Sequence, residues 1–453
     1  MSNPLSFDSP KNRNGTTMVD LSINCGGIKS PNPFWLASAP PTNSAYQVCK
    51  AFEQGWGGAV WKTIGEPVMN VVNRYGAVDY NGQKVLGLNN IELISDRPIE
   101  VNLREMAETK RLWPDRAVVA SLMVESKRET WHDIVKRTVD TGCDGIELNY
   151  GCPHGMSERG MGSAVGQVPE YCQMITEWVT EVSTIPVLVK LTPNVTDVRY
   201  PGRAAKKAGA HGISLINTVN TIMGVDLDTF ELKPSVDGKG GHGGYAGPAV
   251  KPIALNMVSQ IASDPDINLP ISGIGGIATW RDALEFILLG STSVQVCTAV
   301  MHYGFRIIND MTEGLANWME EKGFRSLDEV CGRSLKGLAD FGNLNLLYKT
   351  TARIDESKCI HCNLCYIACE DSAHQCIDLV PHNGRNQPKV REDDCVGCRL
   401  CFLVCPVEGC ISMVRKDDGR EIMTWNELMK QLPQPLTWEA LRQFQAKHGI
   451  EIH

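Results

Sequence analysis

Short apolar runs recur eight times through the first part of the chain, most of them separated by stretches with helical periodicity. They are Pro33–Ala37, Gly58–Thr63, Ala117–Val124, Gly145–Asn149, Pro186–Leu191, Gly212–Asn217, Leu269–Ile274 and Ser293–Cys297. Brief apolar runs bounded by turn residues are the pattern of strands buried on both faces of a parallel sheet. Between the fourth and fifth, Tyr171, Met174, Ile175, Trp178, Val179 and Val182 recur at helical spacing behind Pro169 and Glu170, which mark a helix start. The repeated strand–helix alternation predicts an α/β fold, a (β/α)8 TIM barrel. A doubly wound sheet is the rival. It should open its first helix with a nucleotide fingerprint, whereas the first strand runs into Ala37-Ser38-Ala39-Pro40-Pro41.

Residues 1–30 are polar and end in an expected hairpin, Val19 to Ile28. The long segment Ile64 to Trp113 reads as an insertion over the top of the barrel, and Met301 to Thr350 as helices leading away from it. After about Ala352 the chain turns cysteine-rich, and from about Val414 it is polar, with helices expected at Trp425–Gln431 and Thr437–His448. The expected domains are therefore residues 1–350, 351–415 and a helical tail, 416–453.

The formal net charge of −8 argues against an electrostatic nucleic-acid footprint. No signal peptide opens the chain and no apolar run is long enough to span a bilayer, so a cytoplasmic protein is expected. In that compartment the 17 cysteines are expected as thiols and metal ligands rather than disulfides.

Eight of those cysteines form one doubled pattern. Cys359, Cys362, Cys365 and Cys369 have the spacing C-x2-C-x2-C-x3-C; Cys395, Cys398, Cys401 and Cys405 repeat it, followed by Pro406. This is the spacing of a bacterial-type ferredoxin with two [4Fe-4S] clusters, in which the fourth cysteine of each run crosses to the other cluster. One cluster is accordingly assigned to Cys359, Cys362, Cys365 and Cys405, the other to Cys395, Cys398, Cys401 and Cys369. A pair of zinc sites is the alternative, but zinc has no need of the doubled run. Cys376 and Cys410 fall outside the pattern and read as packing. Two clusters make an electron wire, which needs a donor and an acceptor.

The acceptor is sought at the strand ends. Asn149 and Cys152 leave the fourth strand on a loop with glycines at 151, 155, 160, 162 and 166, a stretch with little core of its own that is expected to move. Lys62 and Thr63 close the second strand and Lys190 ends the fifth; a cation there suits the pyrimidine edge of a flavin, although a Schiff-base lysine or a structural ion pair has the same signature. A glycine-rich run, Gly238 to Gly247, follows strand six; Gly275-Gly276 follows strand seven and Cys297-Thr298 ends strand eight, where this fold cradles phosphate. Asn90, Asn149, Asn217 and Thr218 offer donors and acceptors that match a planar ring of alternating carbonyl and N–H groups.

These residues bring a family into view. The barrel and the doubled cysteine run resemble the C-terminal half of the dihydropyrimidine dehydrogenases from Asn32 to about Met413. The likeness is sharpest at Asn90-Ile91-Glu92-Leu93-Ile94-Ser95, Glu147-Leu148-Asn149, Cys152-Pro153-His154-Gly155-Met156, Glu158-Arg159-Gly160-Met161-Gly162, Lys190-Leu191-Thr192-Pro193-Asn194 and Asn217-Thr218. The resemblance implies FMN in the barrel, two [4Fe-4S] clusters, and reduction of uracil or thymine to the 5,6-dihydropyrimidine. It implies Cys152 as proton donor and Asn90, Asn149, Asn217 and Thr218 as pyrimidine ligands. As flavin ligands it implies Ser38, Ala39, Lys62, Thr63, Asn149, Lys190, Gly247, Gly275, Gly276, Cys297 and Thr298. The animal enzymes have Ser immediately before the catalytic cysteine; this chain has Gly151. They also carry FAD and NADPH sites upstream, while no G-x-G-x-x-G strand-to-helix fingerprint occurs here. The implied partner is a separate flavoprotein subunit that binds FAD and NADH, in a hetero-oligomer built on a homodimer.

Three other readings share parts of the pattern. Asn149-Tyr150-Gly151-Cys152-Pro153 also looks like the motif of tRNA dihydrouridine synthases, which the net charge and the fused clusters disfavour. A dihydroorotate dehydrogenase would share the flavin barrel but should show an arginine for the orotate carboxylate. A non-catalytic electron carrier would leave the amides and the loop cysteine without a task.

Overall fold

The computed structural model describes residues 19–66, 69–80, 83–152, 160–345, 348–372, 374–417, 419 and 423–448. The chain parts into two compact units, the first ending at Gly337 and the second beginning at Leu338.

The eight expected strands all form, and they close in chain order into one parallel barrel. They are β1 (Phe34–Leu36), β2 (Gly58–Val60), β3 (Ala117–Leu122), β4 (Gly145–Asn149), β5 (Val187–Lys190), β6 (Gly212–Leu215), β7 (Ile271–Ile274) and β8 (Ser291–Val296). The helices that return the chain are α1 (Ala45–Gln54), α2 (Ile99–Leu112), α3 (Arg128–Val139), α4 (Pro169–Thr180), α5 (Arg199–Lys207), α6 (Lys251–Ala262), α7 (Trp280–Leu288) and α8 (Ile307–Lys322). Local chemistry sets several of their ends. Ser44 accepts from Gln47 N at the start of α1, and Gly55, at φ 109°, ends it. Thr279 and Asp282 form a reciprocal capping box on α7.

The barrel interior is layered. Toward the strand N-termini, Trp35, Val60, Val119 and Leu188 pack with Cys25 and Ile28 of a small hairpin, Ile23–Cys25 with Ile28–Ser30. That hairpin plugs the lower mouth; a β-carbon on Gly145 would lie 2.4 Å from Ile28 Cδ1. Above the plug comes a polar layer. Gln295 Nε2 of β8 donates across the barrel to Glu147 Oε2 of β4 at 2.7 Å, and to Ser272 Oγ at 3.1 Å. With the bottom sealed, the open end is the C-terminal one, where barrel enzymes keep their chemistry.

Two expectations need correction. The segment Ile64–Trp113 is not all insertion, since Ile99–Leu112 is the second barrel helix, packed on α1 and β3. Its remainder supplies Tyr75–Tyr80 and Gln83–Asn90 to a four-stranded antiparallel sheet, completed by Gly243–Ala246 and Val219–Thr221 from the excursion after β6. So the glycine run 238–247 is in part a strand. Nor does Met301–Thr350 simply lead away in helices. Met311, Leu315 and Met319 of α8 join the barrel core, and between Lys322 and Thr350 the only helical elements among the described residues are short 3-10 turns.

In the second unit, Thr350–Ile354 pairs with Ile411–Arg415, and Ile377–His382 with Arg385–Val390. Helices Leu364–Ser372 and Leu400–Val404 pack on each other and carry the third and fourth cysteines of the first run and the third of the second. The tail forms Trp425–Lys430 and Trp438–Lys447. No helix among the described residues is long and apolar enough to cross a membrane.

Candidate active site

A pocket opens at the C-terminal end of the barrel, with about 1340 Å³ of empty space including its mouth. Every barrel residue expected as a ring or flavin ligand, and Cys152, lines it. Ser38, Ala39, Lys62 and Thr63 come from the ends of β1 and β2; Asn149 and Cys152 follow β4; Lys190 ends β5. Asn217 and Thr218 follow β6, Gly275 and Gly276 follow β7, and Cys297 and Thr298 follow β8. Asn90 and Gly247 are brought in by the four-stranded sheet.

Hydrogen bonds tie the polar side chains into one chain. Ser38 Oγ lies 3.1 Å from Thr63 Oγ1, which receives Asn149 Nδ2 at 3.0 Å. Asn149 Oδ1 in turn accepts from Asn217 Nδ2 at 2.9 Å and from Gly151 N at 3.2 Å. Asn217 Oδ1 accepts the Thr218 backbone N–H at 2.8 Å. Opposite, Asn90 Nδ2 donates to Gly244 O at 3.2 Å, across the register that pairs Asn90 with Gly244. Asn149 and Asn217 thus hold each other in orientation, and the Gly244 carbonyl orients Asn90.

Cys152 lines the pocket at 7 % exposure and packs with Ile94, Met123 and Met161. Its thiol lies 3.9 Å from Leu93 O. The chain returns over it at Gly162, where a β-carbon would meet Cys152 O at 2.8 Å and φ is 60°. Pro153 to Arg159, including the expected mobile part of this loop, lie outside the described residues.

Both cations of the pocket floor are opposed by carboxylates. Lys62 is bonded to Glu92, whose other oxygen accepts the Tyr75 hydroxyl at 2.7 Å. Burial, then that hydrogen bond, pushes the Tyr75 phenol well up, so it stays a donor. Lys190 Nζ stands 3.5 Å from Glu147 Oε1. Burial pushes the Cys297 thiol up to about 11, against the opposing pull of Lys190. Glu92, Tyr75, Tyr245 and Gln295 also line the pocket, beyond the residues that the sequence pattern points to. Glu92 had a legible signal in the run Asn90-Ile91-Glu92-Leu93-Ile94-Ser95, where it stands two residues beyond Asn90 and gives its backbone N–H to Asn90 Oδ1.

The residue set suits FMN. Among the described residues Gln295 Oε1, at the floor, has no hydrogen-bond donor. Two ammonium groups, those of Lys62 and Lys190, line the pocket, and Gly247, Gly275 and Gly276, all at positive φ, offer it backbone.

The eight patterned cysteines fall into two small cavities. One is lined by Cys359, Cys362, Cys365 and Cys405, the other by Cys369, Cys395, Cys398 and Cys401. Each also receives a fifth thiol. Cys410 lines the first; Cys376 lines the second, with its Sγ 3.5 Å from Cys369 Sγ. Both extra cysteines are buried, as packing requires. In each run the residues flanking the middle cysteine have positive φ: His361 and Asn363 in the first, Gly397 and Arg399 in the second. Alternating the backbone hand in this way gathers N–H groups into an anion-binding concavity, which fits a negatively charged cluster.

Comparison with known proteins agrees with this geometry. The dihydroorotate dehydrogenase family model matches residues 21–319, and the 4Fe-4S dicluster domain model residues 352–413. The chain is similar to the NAD-dependent dihydropyrimidine dehydrogenase subunit PreA of Escherichia coli K12, at 42% identity over 79% of this chain and 87% of that protein. It is 42% identical to the chloroplastic dihydropyrimidine dehydrogenase (NADP(+)) of Arabidopsis thaliana over 70% of this chain and 77% of that one. It is 38% identical to the catalytic subunit of dihydroorotate dehydrogenase B (NAD(+)) of Pyrococcus abyssi, over 70% of this chain and 99% of that one.

Proposed function

The chain belongs to the dihydroorotate dehydrogenase family and is an FMN- and iron–sulfur-dependent oxidoreductase, and from that premise we propose that it reduces the 5,6 double bond of uracil or thymine. The observation that carries the substrate is the linked row Thr63, Asn149, Asn217 and Thr218, with Asn90 opposite. Mutually fixed amides bind a ring of alternating carbonyls and N–H groups and leave their own polar atoms unpaired with any ring lacking them.

FMN held in this pocket would supply the hydride chemistry for the ring, and clusters held by the eight cysteines would supply single-electron chemistry. The side chains do the rest. Asn90, Asn149, Asn217 and Thr218 orient the ring. Cys152 Sγ holds the proton that C5 takes up, as a general acid within reach of the ring face. Ser38, Ala39, Thr63, Lys62 and Lys190 hold the cofactor's ring system, and Gly247, Gly275, Gly276, Cys297 and Thr298 its phosphate side. The antiparallel sheet closes over the mouth through Asn90 and Tyr245 and keeps water from the reacting atoms. Cys359, Cys362, Cys365 and Cys405 hold one cluster, and Cys395, Cys398, Cys401 and Cys369 the other, in keeping with the two cavities.

A separate flavoprotein subunit that binds FAD and NADH is the proposed electron source, in a cytoplasmic hetero-oligomer built on a homodimer. In support, the Escherichia coli relative is named as one subunit of an NAD-dependent enzyme.

The relatives named for dihydroorotate oxidation raise orotate as the second reading. Among the described residues no arginine lines the pocket, and both lysines of its floor are already opposed by Glu92 and Glu147. An added carboxylate would find no uncommitted cation there, which favours uracil. The test is anaerobic. The chain reduced with dithionite is mixed with uracil, thymine or orotate, and return of the oxidised flavin band is followed. Uracil or thymine should restore it and orotate should not; faster return with orotate would reverse the assignment. Isolation of the native complex with cofactor analysis, then NADH oxidation with uracil, tests the partner.

A further inference from the structure

Glu147 is fully buried and does not line the pocket; it stands behind Lys190, which does. Its Oε1 faces Lys190 Nζ at 3.5 Å, too long for a full hydrogen bond, and has no hydrogen-bond donor among the described residues. Its Oε2 is held from the far side of the barrel by Gln295 Nε2 at 2.7 Å. Stability does not explain a carboxylate at this place, because a buried ion pair does no better than a well-packed apolar pair of the same volume. The arrangement makes sense as a setting for the ammonium group in front of it.

We propose that Glu147 is a positioning residue that partly neutralises Lys190 and so holds the reduction potential of the flavin below the value an unopposed ammonium would impose. The proposal rests on the flavin-site reading above. Taking up two electrons and one proton adds one negative charge to the flavin ring. A cation beneath the ring favours that charge, and a carboxylate directly behind the cation offsets it across a low-dielectric interior. Lys190 then positions the cofactor without making it a poor reductant, and a strong reductant is what saturation of a ring double bond requires. The hydrogen bond from Gln295 draws carboxylate charge away from Lys190 and so sets how far the offset goes. Lys62 and Glu92 repeat the cation–carboxylate arrangement at the neighbouring strand end.

The test uses the intact FMN-loaded chain and two readings other than turnover: the flavin midpoint potential, and the affinity for sulfite, which bleaches oxidised flavin more readily as the site becomes more positive. Glu147→Gln should raise the potential and tighten sulfite binding about tenfold or more. Glu147→Asp, which keeps the charge, should stay near the wild type. Gln295→Leu should lower the potential and weaken sulfite binding, and it carries the test alone if Glu147→Gln does not fold. Unchanged readings in an FMN-loaded Glu147→Gln protein overturn the proposal, as do unchanged readings in Gln295→Leu. So does a Glu147→Gln protein that folds but cannot hold FMN, because Glu147 would then be structural. A wild-type chain that takes up no FMN would overturn the flavin-site reading itself, which is a separate result.

Discussion

Gly151 and Asn217 pack against each other so closely that a β-carbon at position 151 would stand 2.3 Å from Asn217 Cβ and 2.6 Å from its amide nitrogen. That amide is the one that donates to Asn149 Oδ1. The absence of a side chain at 151 therefore sets the orientation of two of the proposed ring ligands at once. Gly151→Ala or Gly151→Ser should push Asn217 off Asn149 and leave amide atoms unpaired, at about 1–3 kcal/mol in binding. The expected outcome is a raised KM for uracil, with kcat changed less, together with a weaker perturbation of the flavin spectrum by uracil. An unaltered KM in both variants would mean that Asn217 does not touch the ring.

Cys152 lies among Ile94, Met123 and Met161 with its thiol 3.9 Å from the Leu93 carbonyl oxygen. A protonated thiol is what a general acid must be before the reaction. Cys152→Ala should keep FMN and iron at wild-type content while lowering kcat by about two to four orders of magnitude. Serine has the same shape but a far weaker acid, so Cys152→Ser should recover only a small part of that loss. Full turnover in either variant would remove Cys152 from the chemistry.

The barrel strands were legible because burial on both faces writes each of them as a continuous apolar run, of which β3 is the plainest, with every residue from Ala117 to Leu122 buried. The strands over the mouth carry no such mark. Val219–Thr221 and Gly243–Ala246 are short and rich in glycine or polar residues, and they are held by pairing, the first with the second and the second with Gln83–Asn90, rather than by a core of their own. Ile99–Leu112 was hidden inside the insertion because its buried face includes Asn102 and Thr109, which break the apolar stripe. In the site, the residues that announce themselves are those on loops after strands. Glu147 and Gln295 sit within apolar strands, where a polar residue reads as an interruption until the opposite side of the barrel supplies its partner.

The buried thiols of the barrel make a prediction about alkaline stability. Burial pushes Cys25 and Cys172 up to about 12 and Cys143 to about 11, from an ordinary value of 9.0. Below pH 9 each thiol is protonated in both folded and unfolded chains, and the preference for the folded state is complete. As pH rises past 9 the unfolded chain releases these protons while the folded chain keeps them. Stability therefore falls between pH 9 and about 11 to 12. Each such thiol contributes a loss of about 1.4 kcal/mol for every pH unit climbed within that window. The urea concentration that half-quenches the emission of Trp35, Trp56 and Trp61, all buried, should be lower at about pH 10.5 than at about pH 8. Cys172→Ala should be weaker at pH 8 but should lose less between the two. A midpoint that rises with pH would contradict the burial of these thiols.

The cavities of the second unit make the ligand crossing testable without a structure of the loaded protein. Cys369 belongs by sequence to the first run but shares a cavity with Cys395, Cys398 and Cys401. Cys369→Ser should therefore weaken the cluster of the second run, and adding Cys398→Ser should strike that same cluster again. The double variant should keep about half the iron and the electron-spin signal of one intact cluster. Cys369→Ser with Cys362→Ser strikes both cavities and should lose both signals. An uncrossed arrangement predicts the reverse: the first pair of substitutions would strip both clusters and the second would spare one. Because each pair removes the same number of thiols, general fragility of the domain cannot produce the contrast. The outcome turns only on which cavity Cys369 serves.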